Sequence, residues 1–365
     1  MPNLINQKIF NDFRETLINT KETQVFILTT HQGADFDDFS SLVGFLDYLN
    51  YIQTTFKLKI ETHICLSGEL DDDYLELTPN VNFIWRDLDE IKFQEYFKNS
   101  ILKTDKVYNL VVFGCSDLKR MLGNPFSNFT YSLLNEAKRL VTFNFDHHIQ
   151  GKSWANYNLV DEEASSNAEN LLDILLSQLD YKISKNTATN LMIGLVSDTV
   201  NFFASSTTNL THKHASELMN LGCDIAKVRE IVHAKWTVEN LTRLNDIIKK
   251  VEYLSLNDII WTVENKKESI AVLDCTSDSE ISNLFSNEIL DILKTNIVIM
   301  IKNGQKQNDR KLSIRCLPES NVNAVDIATH FGGGGHRLAA GASIDGHDLI
   351  WFKEELVKYL SHFIS

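Results

Sequence analysis

The feature that most constrains the fold is an apolar run that ends in an acid and two histidines. The run Leu140 to Phe145 does not alternate regularly, and Asp146, His147 and His148 follow it directly. Such a run is typical of a strand buried on both faces of a parallel sheet. Open α/β sheets bind ligands at the carboxyl ends of their strands. The stretch therefore predicts an α/β fold with a polar site at one sheet edge, although alone it is equally compatible with a loop.

Three other apolar runs end in similar side chains. The run that begins at Val25 leads to His31, Asp35 and Asp37. The run that begins at Leu110 leads to Gly114, Cys115 and Asp117, and the run that begins at Met192 leads to Asp198. The run at Met192 supports two predictions. Its apolar character favours a strand that ends at Asp198, whereas the pattern over residues 185–196 predicts a helix that leads to Asp198. Each acid alone is explained by a cap or a turn. Together, His and Asp side chains at the ends of several elements are typical ligands of divalent metal ions. They are also the usual ligands in the active sites of two-metal phosphoester hydrolases.

The chain resembles the DHH phosphoesterases. The residues that carry the resemblance occur in family order, and they are His31, Asp35 and Asp37 of a His-x3-Asp-x-Asp motif, Asp146-His147-His148, Asp198-Thr199, and Phe331 to His336 followed by Ala339-Ala340-Gly341. These motifs span nearly the whole chain. The last of them resembles the glycine-rich loop of the C-terminal domain that accompanies the DHH domain.

The resemblance implies a role for each of these residues. His31 and Asp35 would hold one ion, and Asp37, His147 and Asp198 would hold the other. Asp146 would orient a histidine, and His148 would face the scissile phosphate. The ligand set suits Mn²⁺ best, with Mg²⁺ or Co²⁺ as substitutes.

One position departs from the family pattern. The family places a bridging Asp six residues before an Arg, and Arg120 fits that Arg, which puts Gly114 at the position of the Asp. Without a bridging carboxylate we expect weaker occupancy of the His31/Asp35 site. Asp117, water or a substrate phosphate could supply the bridge. Asp38 is interpreted as a cap or first-turn acid.

The C-terminal part of the chain carries all the expected substrate-binding residues except Arg120. Consecutive glycines let backbone N–H groups approach an anion. The substrate-binding residues implied by the resemblance are Gly333, Gly334, Gly335, His336, Arg315 and Arg120. Residues 294–337 contain seven basic and three acidic side chains. This local surplus favours a small anionic ligand, although solvated surface lysines are the simpler explanation for part of it.

The pattern of elements predicts three segments. Residues 1–210 are expected to form the mainly parallel α/β DHH domain, 211–254 a helical connector, and 255–365 a smaller mixed α/β domain. Predicted helices cover residues 5–19, 88–98, 126–138, 185–196, 280–294 and 347–363, with others starting near 37 and 161. Predicted strands end at His31 or cover residues 60–66, 107–113, 140–145, 258–264, 269–274, 296–302 and 310–316.

Composition limits the functional class. The net charge of −14 argues against coating of long duplex nucleic acid, which requires a cationic surface. Five scattered cysteines and the absence of a signal-like or membrane-spanning run predict a soluble cytoplasmic protein with free thiols. A homodimer is left open.

The sequence therefore predicts a metal-dependent phosphodiesterase or phosphatase that acts on short nucleotides. The candidates are oligoribonucleotides, linear or cyclic dinucleotides and nucleoside bisphosphates, by family resemblance. The alternative is a catalytically impaired nucleotide-binding homologue that lacks the bridging Asp. An inorganic pyrophosphatase is less favoured, because such relatives use a different C-terminal domain.

Overall fold

The structure is a computed structural model. It describes residues 3–67, 83–85, 89–101, 106–115, 121, 136–137, 139–148, 154–254, 261–263, 266–286, 288–304, 309–335, 337–344 and 349–361. The chain divides into two compact units, Met1–His233 and Ala234–Ser365.

The first unit is built on a parallel sheet with the strand order β3-β2-β1-β4-β5-β6. Its strands are β1 (Gln24–Thr30), β2 (Ile60–Cys65), β3 (Phe83–Trp85), β4 (Val107–Phe113), β5 (Leu140–Asp146) and β6 (Tyr157–Val160). All seven residues of β1 are buried, because Phe26 and Leu28 face one core while Val25 and Ile27 face another. This two-sided burial explains why the strand sequences are apolar runs without alternation.

Helices cover the sheet of the first unit. They are α1 (Leu4–Ile18), α2 (Phe36–Phe56), α3 (Glu90–Tyr96, continued by a π-helical turn at Phe97–Ile101), α4 (Asn167–Leu176), α5 (Lys185–Asp198), α6 (Asn209–Asn220) and α7 (Ile225–Val232). Helices α2, α4 and α5 pack on one another and carry much of the larger core.

The parallel α/β architecture predicted from the sequence is confirmed. The grouping of residues 192–198 with the strand ends is wrong, since Asp198 is the last residue of helix α5. A uniformly buried helix and a buried strand give similar apolar runs, so the run alone did not distinguish them. Helix α4 begins at Asn167 rather than near residue 161. Most of the helix predicted over 126–138 lies outside the described residues.

The second unit contains a mixed sheet with the order β13-β14-β12-β11-β10-β7, in which β10 and β11 are parallel and the other pairs are antiparallel. Its strands are β7 (Glu252–Leu254), β10 (Ile270–Asp274), β11 (Ile297–Asn303), β12 (Arg310–Cys316), β13 (Gly334–Gly335) and β14 (Ala339–Ser343). A separate hairpin is formed by β8 (Trp261–Val263) and β9 (Lys266–Glu268).

Two helical layers cover this sheet. The helices are α8 (Val238–Ile248), α9 (Ser279–Leu284), α10 (Ile289–Leu293), α11 (Ala324–His330) and α12 (Leu349–Ser361). The continuous helix predicted over 280–294 is wrong, because α9 and α10 are separate short helices. The helical pattern predicted through residue 254 is wrong at its end, because Glu252–Leu254 pairs with β10. The three helices within residues 211–254 divide between the two units.

Among the residues that the structure describes, no helix combines the length and the apolar character needed to cross a membrane.

Candidate metal centre

Three neighbouring strands end at the same edge of the first sheet. Thr30 pairs with Phe113, and Phe113 pairs with Phe145. His31, Gly114 and Asp146 therefore follow one another across this edge. The strand order gives the physical reason why segments 115 residues apart in the chain meet at one site.

The start of helix α2 delivers three acids to this edge. The Asp35 side chain caps the helix and accepts a hydrogen bond from the Asp38 backbone N–H at 2.9 Å. Asp37 and Asp38, in the first turn, are both buried. An uncompensated carboxylate is expensive to bury, so these two acids need partners or cations.

The first cluster consists of His31, Asp35 and Asp38. The Nε2 atom of His31 lies 3.3 Å from Asp35 Oδ2 and 3.2 Å from Asp38 Oδ2. The other ring nitrogen, Nδ1, donates to the Gln32 carbonyl at 2.9 Å. That bond fixes the ring orientation and leaves Nε2 as the atom that a metal would use.

The second cluster consists of Asp37, His147 and Asp198. His147 Nε2 lies 3.7 Å from Asp37 Oδ2 and 3.4 Å from Asp198 Oδ2. The Asp37 carboxylate also accepts the backbone N–H bonds of Asn167, at 2.7 Å, and Ala168, at 2.8 Å. The first turn of helix α4 thus holds Asp37 in place, as expected for an anion at a helix N-terminus.

Asp146 orients the histidine pair. Its Oδ1 atom accepts the backbone N–H bonds of His147 and His148, at 2.8 and 3.1 Å, and a bond from His148 Nδ1 at 2.8 Å. These bonds offset the burial of the carboxylate and lower the pKa of Asp146. Asp146 is fully buried, while His148 retains solvent contact.

The carboxylates of the two clusters raise one another's pKa values. Burial, followed by the charge of Asp35, raises the pKa of Asp38 to about 7 and that of Asp198 to about 7. Burial and the charge of Asp198 raise the pKa of Asp37 well above its ordinary value. Acids crowded in this way lack sufficient positive charge within the protein, and a bound divalent cation would supply it.

The two cluster histidines are affected in opposite directions. Burial, followed by the charge of His148, lowers the pKa of His147 to about 4, so this ring is neutral and competent to bind a metal. Burial also acts to lower the pKa of His31. The Asp35 hydrogen bond and the charges of Asp38 and Asp35 outweigh burial and raise that pKa to about 9.

The residues present fit two divalent cations. In each cluster the three candidate ligand atoms lie within 4.8 Å of one another. Each cluster combines one imidazole nitrogen with two carboxylate oxygens, a donor set suited to Mn²⁺ and similar ions. The structure brings together the five metal ligands proposed from the sequence, namely His31, Asp35, Asp37, His147 and Asp198.

Sequence reasoning missed two residues of this site. Asp38 is an acid of the first helical turn, as the sequence predicts, but Asp35 forms the cap and the Asp38 carboxylate also lies beside His31, which the sequence does not indicate. No sequence motif indicates Asn167, whose side-chain Nδ2 donates to Asp38 Oδ1 at 3.1 Å and to the Phe145 carbonyl at 3.0 Å. A third acid directly after the Asp-x-Asp motif was the available signal for Asp38.

Gly114 lies against the first cluster. Its backbone N–H donates to the Phe145 carbonyl at 2.9 Å, and its φ of +70° is in the left-handed region that favours glycine. A Cβ atom added there would lie 1.7 Å from Asp38 Oδ2. Asp117 and Arg120 lie outside the described residues.

The second unit contains the other proposed binding residues. The half-buried Arg315 guanidinium donates through Nη1 to Ser313 Oγ and to the Ile314 carbonyl, and it forms no ion pair among the described residues. Gly334 and Gly335 pair with Gly341 and Ala340 in the sheet. His336 lies outside the described residues.

Gly333 has a steric reason to be glycine. An added Cβ would lie 2.1 Å from the Gly341 carbonyl oxygen, closer than any real contact of that kind. The glycine run therefore permits close approach of backbone to backbone in addition to any role toward a ligand.

Comparisons with known proteins agree with the sequence motifs. Residues 267–365 match the DHHA1 domain family. An uncharacterised protein of Mycoplasma genitalium is 24% identical over 94% of this chain and 93% of its own length. The bifunctional oligoribonuclease and PAP phosphatase NrnA of Thermus thermophilus is 23% identical over 70% of this chain and 71% of its own length.

A solved structure shares the fold over almost the full chain. It is an exopolyphosphatase-related protein from Bacteroides fragilis, with a TM-score of 0.74, 16% identity, and coverage of 99% of this chain and 98% of that chain. Taken together, the matches confirm the predicted resemblance to the DHH-family phosphoesterases.

Proposed function

We propose that this DHH-family protein is a Mn²⁺-dependent phosphoesterase that hydrolyses short nucleotides. The observation that carries the proposal is the pair of His/Asp clusters at the carboxyl edge of the parallel sheet, each with three ligand atoms within 4.8 Å of one another. Two adjacent divalent sites are the usual centre for phosphoester hydrolysis.

The two ions would be held by different elements. His31 and Asp35 would bind one ion, and Asp37, His147 and Asp198 would bind the other. When bound, the ions lower the pKa of a water nucleophile and neutralise charge on the phosphoryl oxygens. Mg²⁺ or Co²⁺ would substitute, because the ligand set contains carboxylate oxygen and imidazole nitrogen without sulfur.

The Asp146–His148 pair would act on the substrate. Asp146 accepts the Nδ1–H of His148, which fixes the tautomer and directs Nε2 away from the carboxylate. In this arrangement Nε2 of His148 would face the scissile phosphate and, when protonated, would give its proton to the leaving oxygen as the P–O bond breaks. Asp146 is a positioning residue, since its oxygen is occupied by His147 and His148.

The second unit would recognise the nucleotide. Arg315 offers a half-buried guanidinium without an ion-pair partner among the described residues, which suits a phosphate group. Gly333, Gly334, Gly335 and His336 would line the same subsite. Arg120, in the first unit, is proposed separately as a further phosphate-binding cation. The net charge of −14 keeps long duplexes outside the substrate range.

The names of relatives narrow the substrate class. Relatives in Thermus thermophilus and Mycoplasma pneumoniae are named bifunctional oligoribonuclease and PAP phosphatase NrnA. The substrates to test first are therefore a 5′-labelled RNA dinucleotide, a linear adenine dinucleotide and adenosine 3′,5′-bisphosphate. The setting that we propose for this activity is the cytoplasm, with short nucleotides as the only nucleic-acid partners.

The test is turnover of these three compounds with Mn²⁺ by the natural protein and by Asp198→Asn. We expect the variant to lose more than about 100-fold in kcat/KM, because even residues that only support a metal ligand are worth about 10–100-fold. Glu163→Gln, at an exposed position, removes the same charge and should retain activity. Equal turnover by Asp198→Asn would contradict the proposal.

One observation favours a second candidate, a nucleotide-binding protein without turnover. Gly114 provides no side chain at the strand end between those of β1 and β5. This candidate predicts micromolar or tighter binding of a dinucleotide with no cleavage of any of the three compounds. The turnover experiment distinguishes it from the phosphoesterase.

A further inference from the structure

We propose that Asp38 completes the first metal site as its third ligand, in the space that a side chain at position 114 would otherwise occupy. The inference rests on the proposed metal-dependent function and deepens it. It assigns a ligand role to a residue that the sequence pattern alone explains as a helix-start acid.

The position of the Asp38 carboxylate is the first argument. Its Oδ2 atom lies 3.2 Å from His31 Nε2, the nitrogen left available by the bond from Nδ1 to Gln32. The three atoms offered by His31, Asp35 and Asp38 lie within 4.8 Å of one another. One imidazole nitrogen and two carboxylate oxygens at this spacing would supply three ligands to a divalent cation.

The second argument is an oxygen without a hydrogen-bond donor. Asp38 is 2% exposed, and its Oδ2 atom faces His31 Nε2, the other proposed ligand atom, at 3.2 Å without accepting a hydrogen bond from the residues that the structure describes. Its Oδ1 atom is held by Asn167 Nδ2. A buried carboxylate that is fixed through one oxygen and left open through the other is arranged to bind a cation with the second oxygen.

The third argument is that Asp38 and a side chain at position 114 exclude each other. A Cβ at Gly114 would lie 1.7 Å from Asp38 Oδ2 and 2.3 Å from its Cγ. The two positions therefore compete for one volume beside His31. A carboxylate from helix α2 thus occupies the space beside Gly114, and the first cluster has three candidate ligands although position 114 has no side chain.

The experiment counts bound Mn²⁺, so that its result does not depend on activity. Equilibrium titration and elemental analysis would be applied to the natural protein, Asp38→Asn, Asp38→Ala, Gly114→Asp and the double variant Asp38→Ala/Gly114→Asp. Asp47→Asn is the matched control. Asp47 lies on the same helix, and its carboxylate accepts bonds from Tyr181 and Thr187 rather than facing the clusters.

We expect two Mn²⁺ per chain for the natural protein and the control. Asp38→Asn and Asp38→Ala should retain one, with the Kd of the other raised about 100-fold or more. Gly114→Asp alone should unfold at a lower temperature, because the new side chain clashes with the Asp38 carboxylate. In the double variant the Asp38 carboxylate is absent, so the new Asp at position 114 should restore binding of the second Mn²⁺. Asp tolerates a left-handed φ better than most residues.

Several outcomes would overturn the inference. They are unchanged binding of both ions by Asp38→Asn, binding of fewer than two ions by the natural protein, or a double variant that folds and binds no more Mn²⁺ than Asp38→Ala. The proposed function fails separately. If Asp38→Asn loses one ion but the natural protein cleaves no nucleotide, the ligand assignment stands and the phosphoesterase proposal falls.

Discussion

At the scale of single residues, Asn167 supports both clusters at once. Its backbone N–H donates to Asp37, and its side chain donates to Asp38 and to the Phe145 carbonyl at the end of β5. It is fully buried. One residue at the start of helix α4 thus fixes an acid of each cluster relative to the strand that carries the histidine pair.

We expect Asn167→Ala to weaken Mn²⁺ binding by about 10–100-fold, because the backbone bond to Asp37 remains while the bond that orients Asp38 is lost. Stability should fall by about 1–3 kcal/mol, since the Phe145 carbonyl also loses its donor. Mn²⁺ titration and urea unfolding in the presence of a chelator measure the two effects separately. Asn158→Ala, which removes a bond to the Ala155 carbonyl, is the control for stability alone. Unchanged Mn²⁺ affinity in Asn167→Ala would refute the positioning role.

Lys302 is a buried cation whose charge opposes folding. Burial, followed by the charge of Arg315, lowers the pKa of Lys302 to about 8, although its Nζ donates to Asn283 Oδ1 at 2.7 Å. Below pH 8 the lysine is protonated in both the folded and the unfolded state, and the folded state bears the full free-energy cost of burying the charged ammonium group. Between pH 8 and the unfolded pKa of 10.5 the folded state releases its proton, so stability rises with pH in this window.

Lys302→Met should therefore be more stable than the natural protein at pH 7, by on the order of 1–2 kcal/mol after allowance for solvent screening. The difference should shrink as pH rises from 8 to 10.5. Urea unfolding across this range measures it. Lys311→Met, at the exposed position directly opposite on β12, removes the same charge without relieving burial and should show little pH dependence. A Lys302→Met variant that is less stable at pH 7 would contradict the argument.

At the scale of elements, helix α4 is fixed by a buried acid in its first turn. Glu169 Oε2 accepts bonds from the backbone N–H and hydroxyl of Ser165 and from Thr211 Oγ1 of helix α6. His214 Nδ1 lies 3.6 Å from Glu169 Oε1. Burial acts to raise the pKa of Glu169, but the nearby His214 ring and the bonds from Ser165 outweigh burial and lower that pKa.

Glu169→Gln should destabilise the protein by about 1–3 kcal/mol at pH 7, because several donors lose a charged acceptor. The loss should diminish as pH falls through the lowered pKa of Glu169, where the natural protein also loses the charge. Thermal unfolding between pH 3 and pH 7 provides the measurement, with Glu163→Gln as the exposed control. A constant difference over this range would show that the charge is not what stabilises the helix.

Most elements could be predicted from the sequence, and the failures have physical reasons. Apolar runs gave β1, β4 and β5, since two-sided burial leaves a strong signal. Helix α5 is buried nearly throughout, so its run was also grouped with the strands. The short elements of the second unit, such as α9, α10 and β7, have too few residues to show a period.

The site was less predictable than the fold. Residue types at the element ends indicate a divalent-metal site, because metal binding restricts the side chains that can serve as ligands, and the resemblance to the DHH phosphoesterases implies the five expected ligands. The proposed ligand role of Asp38 depends on the free volume beside Gly114. The role of Asn167 as a donor to the acids depends on the position at which helix α4 begins. Both are consequences of packing between segments far apart in the chain, which local pattern does not contain.

At the scale of the whole molecule, the two units should respond to different ligands. All members of both acidic clusters lie in the first unit, whereas Arg315 and the glycine run lie in the second. A ligand that binds only the folded state stabilises it by about 2.7 kcal/mol at 100 times its Kd. For a unit of this size the gain corresponds to a rise of about 5–10 °C in the unfolding midpoint.

We therefore expect Mn²⁺, compared with a chelator, to slow amide hydrogen exchange around residues 24–40, 143–148 and 190–200. Exchange in residues 270–344 should be unaffected by the metal and should slow when adenosine 3′,5′-bisphosphate is added. His147→Ala should reduce the effect of Mn²⁺ on the first unit, because the Asp37/His147/Asp198 cluster loses its imidazole while the second unit is unchanged. Equal slowing of both units by Mn²⁺ would place metal binding elsewhere, since ions confined to the sheet edge of the first unit act only on the segments that they connect.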